Sequence, residues 1–341
     1  MVQVSKKIAL LHRYTQDRIK ETNAAFPYLQ AKGIEVLTFK KFDRLGRWGK
    51  FFKDLAWLLY APVLVLGKGY DVIYCDDSFP VYPAFVKFAS PRSLLVLRLG
   101  DLHLMYHTRG LLYKILHFFE LIGWHCADRI ICISEPMAKK VSRELSRFRE
   151  WIGKGGSDPF VVVVRDPVDP NDFNVNGARN HGTVMFHGLL SRNKNIDILL
   201  EAARRLPKVN FVVIGDGPDR RRLQGLAPNN VFFKGWVPFK SISRYIATCS
   251  VGVALRSDNP GNEYVVTSPF LQYGIMGKPC LVTRRKAFEG YDFQFSTVEE
   301  MVERLDYLLK HPEEGKKLRE YILEFHSADK IGEQIWSLLS A

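Results

Sequence analysis

The stretch VMFHGLLSRNKNIDILLEAARRLP, residues 184–207, decides the fold. Val184, Met185 and Phe186 close an apolar run that stops at Gly188, and Ile196, Leu199, Leu200 and Ala203 then recur at the spacing of one helical face. Between them lies a polar turn that carries Arg192 and Lys194. The pattern predicts strand, basic loop and amphipathic helix, the unit from which parallel α/β sheets are wound. Backbone N–H groups and the helix dipole at such a position favour an anion, and Lys194 adds a full positive charge. An ordinary βα turn with solvated cations has the same appearance, so the turn alone leaves both readings open.

Outward from this stretch the same rhythm repeats. Towards the C-terminus VNFVVIGDGP, NVFFKGWV, SVGVAL and KPCLVT read as short buried strands, each followed by a helix or a turn. Towards the N-terminus KKIALLHR, IEVLTF, YDVIYCDD, SLLVLRLGD and DRIICISE read likewise, with helices expected over Thr22 to Lys32, stopped by Gly33, and over Leu111 to Trp124. FVVVVRDPVDPNDF starts as a strand and ends in a proline-punctuated connection, and polar NVNGARNHG follows. The expected organisation is a first domain over 1–165, a linker over 166–182, a second domain over 183–325 and a C-terminal helix over 326–341 that packs back on the first domain. The predicted fold is α/β, two Rossmann-like doubly wound domains facing a cleft, with ligands at the carboxyl ends of the strands.

Size and composition agree with this. The 341 residues exceed the roughly 250–300 at which single cores stop growing. Five cysteines form no CxxC pair and sit mostly in apolar runs, which suits free thiols in a reducing cytoplasm. The longest apolar run, Leu55 to Gly67, contains Pro62 and falls short of the roughly 20 residues needed to span a bilayer. Charge is uneven: residues 1–165 hold 26 Lys/Arg against 15 Asp/Glu, net +11, whereas 166–341 hold 23 against 21, net +2. Within the basic half, residues 40–60 combine Arg44, Arg47, Lys50 and Lys53 with Trp48, Phe52 and Trp57. Leu45, Trp48, Phe52, Leu55 and Leu59 fall on one helical stripe. That stripe suits either an anionic membrane surface or a core face with a solvated basic flank. A pI near 9.4 raises nucleic-acid binding, but no helix-turn-helix, RNP or zinc pattern supports it.

The order and spacing of FHGLLSRNKNIDILLEAARRLP, FVVIGDGPDRRRL, NVFFKGWVPFKSISRYIATCSVGVAL and SPFLQYGIMGKPCLV resemble a glycosyltransferase of the GT-B fold, similar to family 4, the group 1 transferases. DVIYCDDS, LVLRLGD and ADRIICISEPMAKKV extend the resemblance through the first half, and VVVRDPVDPNDF stands where the family has an asparagine, glycine, valine, aspartate turn. The resemblance implies sugar transfer with retention from a nucleotide-sugar donor to a sugar or lipid-linked acceptor, with no metal and no cofactor.

It also implies site residues. The Gly188 turn and Lys194 lie opposite the donor's diphosphate, where a cation offsets charge on the leaving nucleotide. The arginine that the family commonly has after the glycine is Leu189 here, and Arg192 is the nearest substitute. The backbone at Trp236 and Val237 would meet the base. Of the family's two spaced glutamates the second is Gln272, whose amide still serves ribose hydroxyls. The first falls on Tyr264, beside Glu263. N–H groups from Val265 through Thr267 and Ser268 remain able to hold phosphate. Where the family has a histidine and aspartate pair facing the sugar, this chain has Gly100 and Asp101, with His103 two residues on as an alternative acid or base. Arg13, Tyr14 and Thr15 are unspecific acceptor contacts. Gly215 and Gly217 read as structural, and Asp76 and Asp77 are not assigned to a metal. Three readings stay open: a cytoplasmic enzyme that works at the inner face of a membrane, a non-catalytic subunit of the same fold, and a nucleotide-sugar epimerase.

Overall fold

The computed structural model describes residues 6–12, 23–38, 47–76, 82–102, 105, 110–153, 159–173 and 182–341, apart from the side chains of 47–55. The chain divides into two compact units, Met1–Pro167 with Ala328–Ala341, and Val168–Ser327.

The first unit is built on six parallel strands: β1 (Ile8–His12), β2 (Glu35–Thr38), β3 (Val72–Asp76), β4 (Leu94–Leu99), β5 (Arg129–Cys132) and β6 (Phe160–Val163). They lie in the order β2-β1-β3-β4-β5-β6. Every residue of β1 and β3 is buried, as a parallel sheet covered on both faces requires. Helices α1 (Phe26–Ala31), α2 (Arg47–Val65), α3 (Tyr82–Ala89), α4 (Gly110–His125) and α5 (Glu135–Trp151) connect them. α1 is shorter than its apolar spacing predicts. Asn23 turns the chain ahead of it, its carbonyl accepting from Phe26 N–H at 3.0 Å, and Gly33 takes φ +83° after it. α4 runs where the composition placed it.

The second unit has β7 (Thr183–His187), β8 (Asn210–Ile214), β9 (Val231–Gly235), β10 (Val251–Ala254), β11 (Cys280–Thr283) and β12 (Gln294–Phe295), in the order β12-β11-β10-β7-β8-β9 and all parallel. Its helices are α6 (Asp197–Arg205), α7 (Arg220–Leu226), α8 (Phe239–Thr248), α9 (Ser268–Ile275), α10 (Val298–Lys310) and α11 (Glu314–Phe325). One face packs Leu199, Leu200, Ala203, Met301 and Leu305 on the sheet, the other Ile246, Leu271, Tyr273 and Ile322. The opening stretch forms β7 and α6, with the short turn Arg192–Lys194 between them. Two doubly wound parallel sheets are therefore present, as the strand rhythm predicts.

Two details differ from the sequence reading. Of the expected linker over 166–182, Asp166 and Pro167 belong to the first unit, whereas Val168 and Phe173 are buried in the core of the second; residues 174–181 lie outside the described residues. The final helix, α12 (Ala328–Ser340), begins two residues later than expected and puts Ile331, Ile335 and Leu339 into the first unit's core beside Leu10, Tyr74 and Ile131.

Candidate functional site

In the second sheet the strand order reverses between β7 and β10, which are neighbours although 60-odd residues apart in the chain. Ligands of open α/β sheets bind outside the carboxyl ends of the strands at such a switch point. The loops there are knitted by backbone bonds: Gly188 N–H to Ile214 O at 3.0 Å, Leu190 N–H to Asp216 O at 2.9 Å and Gly215 N–H to Gly235 O at 2.8 Å. Gly215 and Gly217 make this contact possible. They take φ +138° and +156°, and a Cβ on either would meet the carbonyl of Gly188 at 1.9 Å or of Leu190 at 2.3 Å. Both are structural on steric grounds.

Two cations meet at the switch point. Lys194 ends the turn after β7, and Asn195 closes that turn with φ 50°. Arg256 follows β10. Burial, and then the charge of Arg256, lower the Lys194 ammonium to about 7. Lys194 forms no ion pair among the described residues. Arg256 was not legible in the sequence as a site residue, because only the sheet order brings its loop beside Lys194. Its backbone is pinned on both sides: its N–H donates to Thr283 Oγ1 at 3.1 Å and its carbonyl accepts from Arg285 Nη2 at 3.0 Å. The next residue joins the two loops. Ser257 N–H donates to Asn193 O at 3.0 Å, and Asn262 Nδ2 donates to Asn193 Oδ1 and to Ser257 O. Arg192, the sequence candidate for a second cation, is exposed on the turn with its charge acting on Asp197.

In this unit several polar atoms are buried with no hydrogen-bond partner among the described residues: His187 Nε2 and Asn262 Oδ1 beside these loops, and Thr267 Oγ1 and Gln272 Oε1 at α9. Each such atom costs on the order of 1–3 kcal/mol, so a concentration of them marks a place built to receive polar groups. His187 ends β7, with its ring edge-to-face on Tyr273 at 5.0 Å, and burial followed by the Lys194 charge lowers it to about 3. It is a neutral imidazole. Thr267 precedes α9 without capping it, and Phe270 N–H makes the first helical bond to Thr267 O. The N–H groups of Thr267 and Ser268 lie ahead of that bond. Glu263 is engaged elsewhere: Oε2 accepts from Lys286 N–H at 3.3 Å and Oε1 stands 3.7 Å from Arg285 Nε. Just beyond β9, Trp236 is exposed and Val237 partly buried. A separate cavity of about 320 Å³ lies between α9, α11 and the loop 287–293, and neither Lys194 nor Gln272 lines it.

The first unit has its own charged cluster at the carboxyl ends of its strands. Arg98 of β4 donates to Asp76 Oδ1 of β3 at 2.9 Å and to Asp166, and Asn23 Nδ2 donates to Asp76 Oδ2 at 2.9 Å. Burial would raise Asp76, but Arg98, His12 and Asn23 outweigh it and hold this carboxyl below its ordinary value. Burial raises Asp166, with Arg98 opposing and Asp76 and Asp101 adding to the rise. Asp76 is thus committed to an ion pair. Asp101, partly buried, lies close enough to act on Asp166. His103, Asp77 and residues 13–15 lie outside the described residues. Arg44 does too, and so do the side chains of Arg47, Trp48, Lys50, Phe52 and Lys53. Among the described residues no three His, Cys, Asp or Glu gather as a metal ligand set.

Residues 181–311 match the glycosyl transferases group 1 family. The second unit is a group 1 glycosyl transferase domain. The whole chain has the GT-B fold. HepE of Anabaena, solved with UDP and glucose, is similar over 99% of this chain and 100% of its own, with a TM-score of 0.69 and 17% identity. Sucrose-phosphate synthase of Thermosynechococcus elongatus is similar over 98% of each chain, with a TM-score of 0.71 and 16% identity. The catalytic domain of starch synthase IV of Arabidopsis thaliana, bound to ADP and acarbose, is similar over 98% of each, with a TM-score of 0.67 and 12% identity. At such identities the likeness speaks for the fold. No protein of curated function matches the chain by sequence. The stretch 184–207 supplies a strand, turn and helix of the matched domain.

Proposed function

We propose that the transferase, a member of family 4, moves a sugar with retention from a nucleotide-sugar donor held by the second unit to an acceptor hydroxyl bound by the first. The observation that carries this reading is the pairing of Lys194 and Arg256 at the switch point, in a unit where His187, Asn262, Thr267 and Gln272 each bury a polar atom without a partner among the described residues. A diphosphate fits two converging cations, and it returns to Lys194 the charge stabilisation that burial removes. Gly188 lets the backbone approach it, Arg192 lies at the rim, and the N–H groups of Thr267 and Ser268 add donors. Gln272 takes the ribose hydroxyls through its unpartnered Oε1, the backbone at Val237 meets the base, and Glu263 acts by holding Arg285, which pins Arg256.

Lys194 and Arg256 stabilise charge as the bond from the anomeric carbon to the phosphate oxygen breaks. The acceptor oxygen bonds that carbon from the same face, and its proton passes to the departing phosphate. Asp101, with His103, orients the acceptor and the transferred sugar. The net +11 of residues 1–165 suits a polyanionic or phosphate-lipid acceptor, met at the cytoplasmic face of a membrane by Arg44, Arg47, Trp48, Lys50, Phe52 and Lys53. No metal or cofactor enters this reading.

UDP and ADP in the similar structures make UDP- and ADP-sugars the first donors to try. The test is thermal stabilisation of the purified chain by a panel of nucleotide sugars, followed by NMR of the product's anomeric proton. A donor that stabilises and is turned over with its anomeric configuration kept supports the reading. Stabilisation without turnover would leave a non-catalytic subunit, which Leu189, Gln272 and Gly100 favour as departures from the family pattern. Turnover without an acceptor would mean an epimerase.

A further inference from the structure

The first unit has a surface that sugar transfer leaves unused. Along the described turns of α2, Trp57, Ala61 and Val65 are fully buried, whereas Leu59 and Val63 are exposed. The stripe expected to run through Leu59 therefore faces outward at that residue, and Trp57 belongs to the core rather than to a membrane-facing set. On α3, Tyr82, Pro83 and Val86 turn inward, and Phe85 and Phe88 turn outward, Phe88 at 88% exposure. On α4, Glu120, Gly123 and Trp124 are buried, and Leu111 and Leu112 are exposed, Leu111 at 73%. α2 packs on α3, and α3 on α4, so these outward sides adjoin. Exposed apolar residues are ordinary singly, but a contiguous group on adjoining helices marks a binding surface.

Charge identifies the occupant. Among the described side chains of these three helices there is no exposed acid: Glu120 is buried against His117 at 2.8 Å. The cations are Lys87, which pairs with Asp128 at 2.7 Å, and exposed Lys114. A second copy of the chain offers no exposed acid from the described side chains of these helices to meet Lys114. An anionic bilayer instead offers an apolar interior under negative headgroups. We propose that α2, α3 and α4 form the surface by which the first unit docks on an anionic lipid bilayer, with Phe88, Leu111 and Leu112 entering the acyl boundary and Lys114 at the headgroups. This rests on the reading of the transferase as a peripheral membrane enzyme, and it places the docking on side chains outside the basic stretch 44–53. The surface lies on the bilayer without crossing it. Among the described residues no helix is long and apolar enough to span, and α4 carries the Glu120–His117 pair.

The test is co-sedimentation of the full chain with phosphatidylcholine vesicles, with and without phosphatidylglycerol, for the parent and for Phe88→Ser/Leu111→Ser/Leu112→Ser. The parent is expected on the anionic vesicles, and the triple variant at least about tenfold less bound at an unchanged melting temperature. If the triple variant melts early, Phe88→Ser alone, at the most exposed of these side chains, carries the comparison. A variant that sediments like the parent, while glutamine at Arg44, Arg47, Lys50 and Lys53 abolishes binding, overturns this surface and leaves the membrane reading intact. A parent that sediments with neither vesicle overturns both. A parent dimer on gel filtration that the triple variant dissolves would assign the surface to self-association instead.

Discussion

Replacing Lys194 by methionine separates a ligand-binding lysine from a structural one. Burial and the neighbouring Arg256 take its ammonium from 10.5 to about 7, and a pKa unit corresponds to about 1.4 kcal/mol. Keeping the charge at this position would then cost on the order of 4–5 kcal/mol if fully desolvated. Lys194 is only partly buried, so about 2 kcal/mol is the expected size. The sign follows from proton counts. Below about pH 7 both folded and unfolded chains hold the proton, and the folded chain bears the whole cost. Between about 7 and 10.5 the unfolded chain keeps a proton that the folded one has released, so the parent gains stability as pH rises. The methionine variant should therefore be more stable than the parent by about 2 kcal/mol at acidic pH and little different near pH 9.5, read by urea denaturation followed in the second unit. Turnover with the donor found by thermal shift should fall about a hundredfold, the usual loss of one such transition-state contact. Equal stability at both pH values, or turnover within about threefold of the parent, would refute the placing of this lysine in a desolvated anion site.

Four further outcomes can be checked. Arg256→Met removes one cation and relaxes the pressure on Lys194, so donor affinity should drop about tenfold while its decline with alkaline pH moves to higher pH, measured by calorimetry across pH 6–9. Gln272→Ala should raise the donor KM about tenfold with kcat little changed and no loss of melting temperature, since the Oε1 it deletes has no partner among the described residues. Gly215→Ala should fail to fold or lose several kcal/mol, because its Cβ would stand 1.9 Å from Gly188 O; soluble protein with normal melting would contradict that contact. Arg98→Met leaves buried Asp76 and partly buried Asp166 without their cation, so the first unit should lose about 3–5 kcal/mol at neutral pH, seen as an early transition in calorimetry.

What the sequence disclosed depended on how local each feature is. The β7 turn and α6 were readable because strand burial and helical spacing are written in consecutive residues. The Gly215 and Gly217 turn was read as structural from glycine preference, and the close carbonyls supply the reason. Arg256 was hidden, since its nearness to Lys194 comes from β10 lying beside β7, an order no local pattern encodes. His187 passed as the last residue of an apolar run, and its neutrality is a matter of depth. The Asp76, Arg98 and Asp166 cluster draws on three strand ends, and β12 is too short for any periodicity. Helix α2 was the least legible element: a stripe can be drawn through Leu59, but the buried side runs through Trp57, Ala61 and Val65, and both are helical spacings.

The path of the chain bears on its birth. The second unit is one uninterrupted segment, whereas the first needs residues 328–341 to finish its core with Ile331, Ile335 and Leu339. Val168 and Ser327 lie side by side as a parallel bridge, so the chain leaves the second unit where it came in. During synthesis the half made first cannot be completed first. Its sheet waits, with an uncovered apolar groove, until the ribosome has made α12, by which time the whole second unit has been synthesised. A stop codon at residue 328 would spare every residue of the second unit and still leave a chain prone to aggregate through its other half.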